Sequence, residues 1–120
     1  MAKTKAHTAY KLKNGKRVKG VTTILSNLGW NKNVLVAWAR RTALAGDDPD
    51  AVLKEAGAIG TLAHYLCECD IKGEEPELDD YSAEQIEKAE NAFLGYLEWK
   101  KMTKPKYEAI ELKIVSEKYR

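Results

Sequence analysis

The sequence predicts an α+β fold, in which an N-terminal β-hairpin is followed by three to four helices and a C-terminal strand. Residues 8–19 alternate loosely about Asn14-Gly15, a dipeptide that tolerates the positive φ angles of a tight hairpin turn. Apolar residues then recur at helical spacing through the middle of the chain. Residues 107–116 alternate with period two, which is typical of a strand with one buried face.

The first two helical segments have recognisable ends. Residues 21–28 predict a short helical turn, which a threonine can cap and Gly29 can close. Asn33 can cap a second helix, and Gly46 is its predicted stop.

Two longer helices follow. In Asp48-Pro49 the aspartate can cap a helix and the proline can occupy its first position, so we predict a helix from here to about Ile71. Ser82 and Gln85 have the spacing of a capping box, which predicts a further helix to about residue 101.

The predicted terminal strand places Ile110, Leu112 and Ile114 on one side, with Glu111 and Lys113 on the other. Only the N-terminal hairpin is left to pair with it, although sheets normally have more strands than that. Either the hairpin and this strand form a minimal sheet, or the chain is part of a larger domain.

The composition indicates one cytosolic domain over residues 1–120, with an apolar fraction of 44%. No apolar run approaches the roughly 20 residues that cross a bilayer, so we expect no membrane association. Cys67 and Cys69 lie two apart in a predicted helix, where their side chains point to different faces. We therefore expect reduced thiols and no iron–sulfur cluster, because two cysteines cannot complete its ligand set.

Charge is distributed unevenly along the chain. Residues 1–60 contain 11 basic and 4 acidic residues, whereas residues 61–120 contain 9 basic and 14 acidic. Such a basic half suits contacts with nucleic acid phosphates, although lysines can also protect a solvated strand edge. The candidate nucleic-acid contacts are Lys11, Lys13, Lys16, Arg17, Lys19, Arg40 and Arg41. Trp30 and Trp38 are further candidates, for which anchoring a core is the favoured alternative.

On the long predicted helix, Gly57, Gly60, Thr61, His64 and Glu68 recur at spacings that place them on one face. Each glycine costs a helix roughly 1 kcal/mol relative to alanine, so we expect another backbone to approach closely there. A histidine with a carboxylate one turn away can form half of a divalent cation site. The alternative is a surface histidine that makes a hydrogen bond, with the glutamate as its partner.

Glu111 on the predicted strand is the natural third contributor to such a site. Lys113 could then orient an attacking water or stabilise charge on a phosphate. The alternative is a charged pair on a solvated strand face.

The order of these features resembles the first half of RecB-like exonucleases of phages and prophages, which belong to the PD-(D/E)XK nuclease superfamily. In that family a hairpin and a Val-Thr-x-Ile-Leu segment precede a helix with Gly-Thr-x-x-His, and a strand beginning with Glu follows. The resemblance covers nearly the whole chain. The matching segments are Val21–Leu25, Trp38-Ala39, Gly60-Thr61-x-x-His64 with Glu68, and Glu111–Ser116.

The resemblance implies a metal-dependent DNA exonuclease or endonuclease that acts in DNA recombination and repair, with a partial PD-(D/E)XK core. It implies that His64, Glu111 and Glu68 contact the catalytic Mg²⁺ or Mn²⁺, and that His64, Glu111 and Lys113 take part in catalysis. The family continues with Gly-x-x-Asp and then Asp-x-Lys on a following strand. This sequence ends at Arg120 before both, so we expect the N-terminal part of a nuclease domain, inactive by itself.

Two other functions fit the same residues. The chain could bind nucleic acid without catalysis, through its basic half. It could also be a protein-interaction module, whose terminal strand adds to the sheet of a partner or of a second copy and so forms a homo-oligomer.

Overall fold

The computed structural model describes residues 9–118, and they divide into two compact units. The helical unit comprises residues 52–110, and the basic unit comprises residues 9–51 and 111–118. None of the described helices is long and apolar enough to cross a bilayer. The elements are β1 Tyr10–Lys11, β2 Arg17–Val18, α1 Val21–Leu25, a 3-10 turn Ser26–Leu28, α2 Lys32–Leu44, α3 Pro49–Lys72 and α4 Ala83–Thr103.

The predicted hairpin is confirmed. Strands β1 and β2 are antiparallel, with Tyr10 opposite Val18. Gly15 in the turn has φ = +82°, a conformation that glycine adopts without a steric penalty. Thr8, the first residue of the predicted segment, lies outside the described residues. The hairpin also contributes Leu12, which is buried.

The short turn and the second helix are also confirmed, but their N-terminal caps are not the predicted ones. No threonine side chain caps α1, and α2 begins at Lys32 with Asn31 as its N-cap residue, so that Asn33 lies inside the helix. The backbone explains the earlier start, because the Lys32 N–H donates to the carbonyl of Gly29 at 3.2 Å and carries the preceding turn directly into α2. Gly46, with φ = +92°, follows the end of α2 as predicted.

The predicted ends of α3 are confirmed. A side-chain oxygen of Asp48 accepts a hydrogen bond from the Asp50 N–H at 3.0 Å, which satisfies one of the free donors at the helix start. Pro49 is the first helical residue, where its lack of an N–H costs nothing. Gly73, with φ = +70°, follows the last residue of the helix.

The capping box of α4 is confirmed as well. The Ser82 hydroxyl accepts from the Gln85 N–H at 3.2 Å, and the Gln85 side chain accepts from the Ser82 N–H at 3.1 Å. Lys104, with φ = +47°, terminates the helix immediately before Pro105. Local signals therefore determined both ends.

The core of the helical unit forms between α3 and α4. Its buried members are Leu62, Tyr65, Leu66, Cys69 and Ala89, and the partly buried residues against them are Ile59, Ala63, Leu78, Tyr81, Ile86 and Phe93. The Tyr65 hydroxyl accepts a hydrogen bond from the Glu77 N–H at 3.1 Å, which ties the acidic loop between the helices to this core.

The predicted C-terminal strand is wrong, because residues 107–116 contain no strand. Glu111 has φ = +51°, in the left-handed region, which interrupts an extended chain. The hairpin pairs only with itself among the described strands, so no ladder stabilises this segment. Leu112 and Ile114, which were to be buried on one face, are 66% and 74% exposed.

Side chains, rather than a β-ladder, connect the C-terminal segment to the hairpin. The Lys13 N–H donates to a carboxylate oxygen of Glu117 at 2.7 Å. The Lys113 ammonium lies 5.4 Å from the ring centroid of Tyr10, within cation–π range. The minimal sheet, one of the two predicted alternatives, is therefore not formed, although the segment does contact the hairpin through side chains.

A polar network, the Asp70 network, connects α3, α4 and the segment that follows Pro105. One carboxylate oxygen of Asp70 accepts from the Lys100 ammonium at 2.6 Å and from the Tyr96 hydroxyl at 3.1 Å. The Tyr96 hydroxyl also lies 2.7 Å from the hydroxyl of Tyr107. All four side chains are only partly exposed, so solvent screens these contacts less than it would on an open surface.

The Asp70 network predicts a loss of stability at alkaline pH. Burial, together with hydrogen bonds to Tyr107 and Asp70, raises the pKa of Tyr96, and the hydrogen bond to Asp70 raises the pKa of Lys100. Both groups hold their proton more tightly in the folded chain. Their contribution to stability is therefore complete below the pKa values of the unfolded chain, about 10, and is lost as the pH rises through the higher folded values.

We expect the melting temperature to fall above about pH 10, and to fall less steeply in Tyr96→Phe, which has no hydroxyl to ionise. Thermal unfolding followed by circular dichroism over this pH range measures the difference. Tyr10→Phe is the matched control, since that ring lies in the basic unit and outside the Asp70 network. Equal alkaline losses in the wild type and in Tyr96→Phe would contradict the prediction.

Candidate functional site

His64 and Glu68, the two predicted metal ligands on α3, lie one helical turn apart in the helical unit. His64 is exposed. The Glu68 side chain is only 14% exposed, and its carboxylate forms an ion pair with Lys72, whose pKa is raised mainly by this hydrogen bond. A metal ion at Glu68 must therefore compete with an ammonium group that is already in place.

Glu111 and Lys113 belong to the basic unit. A non-glycine residue with φ = +51° carries backbone strain of order 1 kcal/mol, and strained positions are concentrated at functional sites. The role of Glu111 at a metal site stays a prediction. Lys113, with its ammonium over the Tyr10 ring, is positioned by the hairpin.

The described residues do not form a closed metal site. Over residues 9–118, no group of three or more histidine, cysteine, aspartate or glutamate side chains is arranged to hold an ion. The helical unit contributes His64 and Glu68, only two of the roughly six ligands that hard divalent cations take. Mg²⁺ or Mn²⁺ binding and the roles of these residues in catalysis stay predictions.

The expected close approach of a backbone to the glycines of α3 is wrong. Apart from the adjacent residues and the helix's own backbone, no described atom lies within 4 Å of the position that a Cβ would take at Gly57 or at Gly60. The Thr61 hydroxyl donates to the Gly57 carbonyl at 2.9 Å, a contact within the helix. Both glycines are exposed, as is His64, so this part of α3 presents an open face to solvent.

We expect Gly60→Ala to stabilise the helical unit by about 0.5 to 1 kcal/mol, because alanine restricts the unfolded chain and the added methyl group meets open space. Urea denaturation measures the change in the free energy of unfolding. Gly46→Ala is the control with the opposite sign, since φ = +92° there strains any side chain. A destabilised Gly60→Ala would show that this face is occupied in solution.

The candidate nucleic-acid contacts all lie in a stretch without acidic residues. Residues 9–46 contain eight basic residues and no aspartate or glutamate, and all eight basic side chains are exposed. We call this set the basic surface: Lys11, Lys13, Lys16, Arg17, Lys19, Lys32, Arg40 and Arg41. A stretch this rich in exposed cations favours a polyanionic partner, although the Glu117 carboxylate contacts the hairpin at the Lys13 N–H.

The favoured expectation that both tryptophans of the basic unit anchor a core is wrong for Trp30. Its side chain is 84% exposed, whereas Trp38 is half-buried on α2. Trp30 follows Gly29, whose φ of +65° ends the 3-10 turn. Residue type alone could not reveal this exposure, because a tryptophan is usually well buried.

The Asp70 network was not predicted from the sequence. The one available signal was the spacing of Tyr96 and Lys100, which places them on the same face of α4. Asp70 and Lys72 do match the letters Asp-x-Lys, but they lie at the end of a helix rather than on a strand. Asp70 pairs with Lys100 and Lys72 pairs with Glu68, so both side chains form ion pairs within the helical unit.

Comparisons with models of protein families, with curated proteins and with solved structures found no match to this chain.

Proposed function

We propose that this chain is part of a RecB-like nuclease of the PD-(D/E)XK superfamily, which hydrolyses DNA phosphodiester bonds with Mg²⁺ or Mn²⁺ in the cytoplasm. The observation that supports DNA as the substrate is the basic surface, eight exposed cationic side chains over a stretch with no acidic residue. Such a surface binds the phosphate backbone and releases its counterions.

In this proposal the open face of α3 approaches the phosphate to be cleaved. His64 and Glu68 of the helical unit would contribute a nitrogen and an oxygen ligand from α3. The resemblance predicts Glu111 as a further ligand, and Glu111→Gln tests this prediction separately. A divalent ion held there would supply Lewis acidity, which activates water and stabilises charge on a phosphate. Two ligands from one helix would hold such an ion weakly, so metal and DNA binding, rather than rapid cleavage, are the activities to test with this chain.

We expect weak Mn²⁺ binding by the full chain, and a loss of affinity of at least about tenfold in His64→Ala, since removing even an outer partner of a metal ligand costs roughly that much. Isothermal titration calorimetry with Mn²⁺ alone measures both. Glu111→Gln should weaken binding similarly, since its amide oxygen is a poorer ligand than a carboxylate.

Glu90→Ala is the control for the metal titration, because it removes an exposed carboxylate of α4 that has no part in the proposed site. Its affinity for Mn²⁺ should match that of the wild type. Identical titrations for the wild type, His64→Ala and Glu111→Gln would contradict the nuclease proposal and leave a non-catalytic DNA-binding protein.

A second candidate function is self-association. The number of large apolar side chains that α1, the 3-10 turn and α2 leave exposed favours it, because a partner could bury them. These residues are Val21, Ile24, Leu25, Leu28, Val34, Leu35 and Val36. A homo-oligomer through a terminal strand stays untested, but the described residues contain no such strand. Sedimentation that depends on protein concentration would support self-association.

A further inference from the structure

We propose that Trp30 is a stacking platform for an unpaired DNA base, so that the basic surface binds single-stranded DNA more tightly than duplex. The inference rests on the DNA binding in the proposed function and specifies its substrate. It does not depend on the metal ligands.

The first observation is the exposure of the indole. At 84%, the Trp30 side chain leaves nearly all of its apolar surface in water, where a tryptophan ring contributes nothing to a core. The backbone fixes this position from both sides. Gly29 ends the 3-10 turn in the left-handed conformation, and α2 begins at Lys32, two residues after the tryptophan.

The second observation is a cation at the same turn. The Lys32 side chain lies over Gly29, with its Cδ at 3.3 Å and its ammonium nitrogen at 3.7 Å from the position that a Cβ would take there. The turn that presents the indole therefore also positions an ammonium group. An exposed ring and a cation on the same turn suit a nucleotide, whose base can stack on the ring while a phosphate contacts the cation.

Charge favours nucleic acid over an apolar protein partner. The residues that flank Trp30 in sequence, from 9 to 46, include no acidic side chain, and their eight exposed cations are available for phosphate contacts. The indole then selects between forms of DNA, because a duplex hides the faces of its bases and a single strand exposes them.

The test is the affinity of the full chain for a labelled oligothymidylate and for a duplex of equal length, measured by fluorescence anisotropy at low salt. We expect Trp30→Ala to weaken single-strand binding roughly tenfold to a hundredfold, because it removes the stacking of one base. Duplex affinity should stay nearly unchanged. Trp30→Phe should retain most of the affinity. Leu44→Ala is the control, because it truncates another highly exposed apolar side chain of the basic unit.

Intrinsic fluorescence supplies a second readout. Single-stranded DNA should quench part of the tryptophan emission of the wild type, and this part should disappear in Trp30→Phe. Unchanged single-strand affinity in Trp30→Ala overturns the inference, even if salt-sensitive DNA binding persists. The inference is also overturned if Trp30→Ala reduces only self-association, because a second copy of the chain would then cover the indole in the wild type. If the metal-site substitutions leave Mn²⁺ binding unchanged while Trp30→Ala weakens single-strand binding, the nuclease proposal is refuted and the stacking inference stands.

Discussion

The affinity of the full chain for duplex DNA is expected to fall roughly a thousandfold when the salt concentration rises from about 50 to about 200 mM. The basic surface is the reason. If six of its eight cations contact phosphates, the logarithm of the binding constant falls with the logarithm of salt concentration with a slope of about −5. Anisotropy titrations at several salt concentrations measure this slope.

Single substitutions distinguish the basic surface from a general effect of charge. Lys16→Ala and Arg41→Ala each remove one exposed cation from it and should make the slope shallower by about 0.9. Lys101→Ala removes an exposed lysine of α4 and should leave the slope unchanged. A slope near zero, or equal effects of all three variants, would refute the assignment of DNA contacts to residues 9–46.

Leu62→Ala is expected to reduce the free energy of unfolding by about 2 to 5 kcal/mol, the largest stability effect that we predict. Among residues 9–118, Leu62 is the largest fully buried side chain, at 0% exposure, and it belongs to the α3–α4 core. Truncation removes its apolar contacts and leaves a cavity among only a few buried residues. A small core has little stability to lose, so we expect the helical unit to unfold at a much lower urea concentration.

Leu53→Ala makes the same chemical change on the same helix, at a position that is 53% exposed. It should cost less than about 1 kcal/mol, because the side chain already contacts water. Urea denaturation, followed by the far-ultraviolet circular dichroism of the helices, compares the two variants. Similar losses would indicate that Leu53 is buried in solution, as it would be in an oligomer.

The features that were predicted correctly depend on local signals. The hairpin followed from Asn14-Gly15, the start of α3 from Asp48-Pro49 and the capping box of α4 from Ser82 and Gln85, and each involves residues close together in sequence. The prediction of the terminal strand was wrong because a β-strand forms only when a neighbouring strand supplies its hydrogen bonds. The alternation of Ile110, Leu112 and Ile114 indicates which side of a strand could be buried, but it does not show whether another strand lies alongside.

The candidate site was less predictable than the fold, for a related reason. Spacing placed His64 and Glu68 on one side of α3, but it could not show that Lys72 already pairs with Glu68. It could not show that the space beside Gly60 is open. Nor could it show the exposure of Trp30, since burial depends on what packs against a residue from elsewhere in the chain.

The position of Cys69 in the α3–α4 core has a practical consequence. Its thiol is buried, so an alkylating reagent reaches it only when the helical unit opens. Cys67, two residues away, is half-buried, and burial followed by the nearby Asp70 charge raises the pKa of its thiol, which slows its alkylation at neutral pH. Local unfolding of the helical unit can therefore be measured without introducing a new cysteine. The rate at which iodoacetamide modifies Cys69, followed by mass spectrometry, reports how often α3 and α4 separate.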